Sequence, residues 1–187
     1  MPSLTRAAAM NIARNFPIVV FNISLISVLE DPEWMTVEQD LLVAEIFTTA
    51  QALVLAARAA GHRAQAYDTE LGDPDILTRQ GFFAAVRLVL RVKAGGLALV
   101  APVCSSWGWP CSSSTMRRKK SGFVGDTSNP NVSNGNLMAH ISLFLYTLAA
   151  VRGAEAIFEN PTNSWIFGPW PQITSDSPYE HTIRSLP

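Results

Sequence analysis

Cysteine and histidine are scarce in this chain. Two cysteines, Cys104 and Cys111, cannot staple a 187-residue fold, and so few suit a reducing compartment. The three histidines (His62, His140, His181) lie far apart, and no C-x-x-C or H-x-x-x-H pattern occurs, so no metal site is expected. Charge is thin as well. Charged residues make up 16% and the net charge is −1, so no global positive field exists to hold a polyanion. Contact with nucleic acid would have to come from a local patch. No apolar run reaches the roughly 20 residues that span a bilayer, and no internal repeat or low-complexity tract is present. What is abundant is apolar side chain: 48% of residues, with a mean hydropathy of +0.17. A chain of this length and composition can bury one domain core, which excludes wholesale disorder.

The first 30 residues read as an extension of their own. From Met1 to Leu29 there are two arginines, Arg6 and Arg14, and no acid, and residues 16–29 are mostly apolar. Pro17, Asn22, Ser24 and Ser27 interrupt the apolar stretch, and no small-x-small cleavage site follows before Glu30. A buried extra segment in an intracellular (nuclear or cytoplasmic) protein is therefore expected, with an N-terminal targeting segment as the alternative. Residues 31–170 form the domain, and the Pro-, Trp- and Ser-rich residues 171–187 form a tail.

Within the domain, strand and helix patterns alternate. Asp31-Pro32-Glu33 opens a short helix through Gln39. Leu41–Phe47 is a continuous apolar strand. Residues 50–60 are rich in Ala and Leu and end at Gly61, which predicts a helix. Arg63–Tyr67 is a strand ending at Asp68. Thr78–Lys93 carries Phe82, Val86, Val89 and Leu90 at helical spacing, and Gly95-Gly96 stops it. Leu97–Val100 is a strand closed by Pro102. Residues 104–136 are rich in Ser, Asn, Gly and Lys/Arg and read as a long loop. Leu137–Val151 is a helix, and Ala154–Phe158 a strand closed by Glu159-Asn160-Pro161. This βαβ alternation predicts an α/β fold: a Rossmann-like, mostly parallel sheet with helices on both faces. Burial on both faces explains why the strands are apolar runs. Ligands of such sheets sit at the carboxyl ends of the strands, near a topological switch point.

The informative residues are therefore those that follow each strand. Phe47-Thr48-Thr49 follows the first. Asp68 follows the second, where an acid can accept hydrogen bonds from a ribose diol. Ala101-Pro102-Val103-Cys104 follows the third and sets a thiol at the mouth of the long loop. Glu159-Asn160 follows the fourth and sets a carboxylate suited to proton donation there. Each alone has a plain structural explanation, such as a turn-capping Asp or a small buried Cys. In this order, the set resembles the cytosine-5 nucleic-acid methyltransferase family, whose core is the class I S-adenosylmethionine (SAM)-dependent fold. That family carries F-x-G-x-G after the first strand, an acid after the second, a Pro-Cys loop after a later one and Glu-Asn-Val after the next. The likeness spans about residues 41 to 166.

The resemblance implies a mechanism and a cofactor. Cys104 would add to C6 of cytosine, Glu159 would hydrogen-bond the ring at N3, and Asn160 would position the loop. SAM would be held by Phe47, Thr48, Asp68 and Pro102, with Asp75-Ile76 matching an Asp-Ile pair that reads the adenine amine. The departures are also specific. Thr48, Thr49, Ala50 and Gln51 stand where the family has glycines, and are expected to crowd the cofactor. Val103 precedes the cysteine, and Asp75 follows Asp68 too soon for an intervening helix and strand. No counterpart of the target-recognition domain, the Gln-x-Arg segment or the closing C-terminal motif is recognisable, which implies a cut-down core.

The long loop carries the local positive patch. Arg117-Arg118-Lys119-Lys120 could contact phosphates, and Trp107 and Trp109 could stack on a base, where the plainer reading is a solvated basic run. Two other function classes stay open. One is a non-catalytic relative that acts as a binding or interaction module. The other is a cysteine enzyme of acyl-transfer type, for which His140 is the candidate base.

Overall fold

A computed structural model describes Trp34, residues 36–161 and residues 164–168. The N-terminal extension and the tail from 171 lie outside the described residues, as do residues 31–33 and 35 of the helix expected over 31–39. From Val37 to Asp40 the chain has no helix.

The described residues form an α/β fold around a four-stranded, all-parallel sheet in the order β2-β1-β3-β4. The strands are β1 (Leu41–Ile46), β2 (Ala64–Tyr67), β3 (Val92–Val100) and β4 (Glu155–Phe158). The chain leaves β1 toward one side to make β2, then returns to the other side of β1 to make β3. The switch point therefore lies between β1 and β3. Helix α1 (Ala52–Ala59) joins β1 to β2, and α2 (Arg79–Leu90) joins β2 to β3. A one-turn helix, α3 (Ser112–Thr115), and a long helix, α4 (Pro130–Val151), lie between β3 and β4.

Alternation along β1 divides the core. Val43 packs with Val54 and Ala57 of α1 and with Ala64 and Ala66 of β2. Ala44 and Ile46 point the other way, into the larger cluster with Phe82, Val86 and Val89 of α2 and Phe144, Leu145 and Leu148 of α4. The helices thus cover opposite faces, α1 on one and α2 with α4 on the other.

Local signals explain most element ends. Asn129 accepts from the Asn131 N–H (3.0 Å), and Pro130 occupies the first turn of α4. That helix therefore starts seven residues before Leu137. Its Asn-, Ser- and Gly-bearing first turns have loop composition, but their cap makes them helical. Thr78 caps α2 through the Gly81 N–H (3.1 Å). Gly81 itself cannot carry a side chain, because a Cβ there would run into the Asp75 carbonyl. The third strand starts at Val92 rather than after Gly95-Gly96. Val92 is buried and pairs with Leu41, and the register resumes at Leu97–Val43, so residues 93–96 bulge out.

The amino edge is tied by charge. Asp40 accepts from both the Nε and Nη2 of Arg91 (2.9 Å each) and pairs with Arg63 (2.6 Å). The Arg91 guanidinium beside it holds the Asp40 carboxyl below its ordinary range. A cavity of about 380 Å³, lined by Trp34, Val37, Glu38, Asp40, Arg87 and Arg91, opens at this end, opposite the strand ends that concern function. Among the described residues, no helix is long and apolar enough to cross a membrane.

Candidate functional site at the carboxyl edge

The sheet ladder continues one residue past the end of three strands. The Phe47 N–H donates to the Tyr67 carbonyl (2.9 Å), Ala101 N–H to Ile46 (3.0 Å) and Glu159 N–H to Val100 (2.9 Å). With Ile46 in register with Tyr67 and Val100, and Val100 with Phe158, four residues fall in one row across the edge. From β2 to β4 they are Asp68, Phe47, Ala101 and Glu159. Neighbours in such a row stand about 4.8 Å apart. The loops that begin at Pro102 and at Glu159 are therefore adjacent.

Asn160 locks those two loops together. It is 1% exposed, and its Nδ2 donates to the Pro102 carbonyl at 2.7 Å. Its Oδ1 is buried with no partner among the described residues. Cys104, partly buried, heads a tight turn whose carbonyl accepts from the Trp107 N–H (2.8 Å) and the Gly108 N–H (3.0 Å). Glu159 is partly exposed and has Ala101 as its neighbour in the row.

The long loop is not a loose lid, because Arg117 fastens it from inside. The residue is 1% exposed. Nε donates to the Ser106 carbonyl (2.7 Å) and Nη2 to Ser106 Oγ (3.1 Å) and the Val132 carbonyl (3.3 Å). Nη1 reaches the carbonyls of Phe123 (2.7 Å) and Val124 (3.1 Å) and Asn136 Oδ1 (2.7 Å). Its Cζ lies 3.5 Å from the centre of the Trp107 ring. Trp107 is buried too, and its Nε1 donates to the Gly135 carbonyl (3.2 Å). A Cβ at Gly135 would strike Ser106 Oγ and displace it from Arg117. Burial without a carboxylate pushes the Arg117 pKa down to about 10. Arg117 and Trp107, expected to meet phosphate and base, therefore face inward and bind their own loop. Arg118, Lys119 and Lys120 are exposed.

The cofactor-side residues divide. Phe47 (φ 65°) and Gln51 (φ 50°) both adopt the left-handed region. Gln51 falls at the second glycine of F-x-G-x-G counted from Phe47, so the turn keeps a glycine-like backbone without the glycine. Thr48 is partly buried, whereas Thr49 and Ala50 are exposed. Beneath the turn lies Glu45, 1% exposed, whose Oε2 accepts from the Val54 N–H (2.8 Å) in the first turn of α1. An acid inside an apolar strand was the available sequence signal for this capping role. Asp68 Oδ1 accepts from the Glu70 N–H (2.9 Å), and its second carboxylate oxygen bonds no described residue. That oxygen and the glycine-like turn suit a nucleoside ligand. Asp75 does not suit one: it follows no strand, and its Oδ1 caps the Leu77 N–H (2.9 Å).

Among the described residues no three of His, Cys, Asp and Glu converge to hold a metal. His140, in α4, is largely buried, which lowers its pKa. No protein-family model, curated protein or solved structure matches this chain.

Proposed function

We propose that the chain is a SAM-dependent methyltransferase-like protein that methylates C5 of cytosine in DNA or RNA through Cys104. The observation that carries this reading is the tie between the third and fourth strand ends. Asn160 Nδ2 on the Pro102 carbonyl joins the cysteine loop to the Glu159 loop, in the row that also holds Phe47 and Asp68.

In this reading the Cys104 thiolate forms a bond to C6 of the ring. The electron pair of the C5–C6 double bond moves toward C5, while Glu159 hydrogen-bonds N3 and offsets the charge that develops there. SAM, when bound, supplies an electrophilic methyl group. Phe47, Thr48, Asp68 and Pro102 would hold it, with Asp68 accepting from its ribose. Removal of the C5 proton by a base and departure of Cys104 restore the ring. A base inside a duplex would have to be turned out first.

A second reading, a non-catalytic binding module of the same fold, is favoured by the side chains at Thr48–Gln51 and by the Asp73 carboxylate on the Asp68 N–H (3.0 Å). Calorimetry separates the two. Micromolar binding of SAM and of S-adenosylhomocysteine, roughly −8 kcal/mol, is expected for the enzyme. Cys104→Ser should then abolish methyl transfer to cytosine and leave SAM affinity unchanged. Absence of binding at millimolar SAM overturns the enzyme reading.

A further inference from the structure

We infer that the β3–α4 loop is a stacking platform for single-stranded nucleic acid, with Trp109 taking an unpaired base and Arg118, Lys119 and Lys120 the flanking phosphates. The inference rests on the nucleic-acid reading above and narrows it to the unpaired strand.

Three observations meet on this loop. First, its charge has one sign. From Val103 to Gly125 there is no acid, and the cations are Arg117 to Lys120. Arg117 is taken inside, which leaves three on the surface. Second, the loop turns one indole in and the other out. Trp107 is 3% exposed and Trp109 is 65% exposed. A water-facing indole offers a flat apolar face for which any base is a match. Third, both parts issue from one anchor. Trp109 is two residues beyond Trp107, which stacks on Arg117, and Arg118 is the next residue after Arg117. Six hydrogen bonds hold that guanidinium to Ser106, Phe123, Val124, Val132 and Asn136. The backbone is thus fixed two residues before the indole and one residue before the cations, which lowers the ordering cost of binding.

An unpaired strand fits this surface better than a duplex. Base faces are hidden in a duplex, and reading a major groove takes an α-helix or a two-stranded ribbon. Between Trp109 and Ser121 the loop has two 3₁₀ turns and the one-turn α3. Val103, Met116 and Val124 are also exposed, so an anionic membrane surface is the competitor that the test must include.

The test uses the full chain and a fluorescein-labelled oligo-dC of about 12 nucleotides, within the span one such site covers, followed by anisotropy. The same strand annealed to its complement and anionic phosphatidylserine vesicles serve as competitors. The single strand should bind about tenfold or more tighter than the duplex, with a log–log salt slope near −2 for three phosphate contacts. Trp109→Ala should lose about tenfold with the slope unchanged, and Trp109→Phe should restore most of it. Lys119→Ala with Lys120→Ala should cut the slope to about −0.7. Trp109 is on the surface, so matching circular dichroism and melting are expected for its variants. Equal affinity for duplex, no effect of Trp109→Ala, or binding to vesicles but not to the oligonucleotide overturns the inference. A SAM titration of the same sample keeps the two ideas apart. SAM binding without a single-strand preference sinks the platform alone, whereas single-strand binding without SAM sinks methyl transfer alone.

Discussion

Gln51 and Arg117 are each in a state uncommon for their residue type, and each implies a measurable cost. A non-glycine residue in the left-handed region is destabilised by about 1–2 kcal/mol, part of which glycine returns as unfolded-state entropy. Gln51→Gly should therefore raise stability by up to about 1 kcal/mol in urea unfolding, with the larger gain expected in SAM affinity if the turn receives the cofactor. Arg117 illustrates the opposite case. Its neighbours are carbonyls and an aromatic face rather than an acid, so only a planar fork of five donors can serve them together. Arg117→Lys keeps the charge but leaves buried acceptors unmet. It should cost about 2 kcal/mol or more, read as a lower denaturation midpoint. Nothing in the string Arg-Arg-Lys-Lys marks the first residue for the interior. That choice depends on Ser106, Val132 and Asn136, which approach it only in the folded chain.

At the scale of elements, the two loops after β3 and β4 behave as one unit because of Asn160. Asn160→Ala removes the bond to the Pro102 carbonyl and leaves that buried acceptor unpaired, at a cost of about 1–3 kcal/mol. In a Cys111→Ser background the alkylation rate of Cys104 should change as well, which a purely global loss of stability under native conditions would not produce. Helix α4 carries a pH-dependent contribution. Burial lowers the His140 pKa, so the unfolded state binds a proton that the folded state does not. Stability is then full above the unfolded value of about 6.5 and declines as pH falls below it toward the folded pKa. His140→Leu should flatten melting-temperature profiles as pH falls below about 6.5. Much at this scale was legible in advance. The alternation of apolar runs with Gly- and Pro-marked ends predicts the order of strands and helices that the structure shows. The start of α4 and the first half of β3 were not legible. In α4 a cap outweighs loop-like composition, and in β3 pairing of Val92 with Leu41 outweighs the helical pattern that runs into it.

For the molecule as a whole, the sheet separates a structural edge from a candidate functional one. At the amino edge, Asp40 joins the start of β1 to Arg91 beyond α2 and to Arg63 before β2. Its folded pKa lies below the unfolded one, so its contribution is present above about pH 3.9 and lost as pH falls through the folded value. Asp40→Asn should cost about 1–3 kcal/mol at neutral pH, and the variant should show a smaller further loss than the parent between pH 4 and pH 2. At the carboxyl edge, the switch between β1 and β3 places Phe47 next to Ala101, where a parallel sheet leaves room for a ligand. The α/β class and a mostly parallel sheet follow from the sequence by itself, because hydrophobic runs and their terminators act over neighbouring residues, whereas the spatial order of the strands comes from the fold. The tertiary structure alone decided which cation and which indole turn inward, that Gln51 takes a glycine's conformation, and that Asn160 clasps Pro102. Each of these depends on partners distant in the chain whose approach only the packed sheet and helices create.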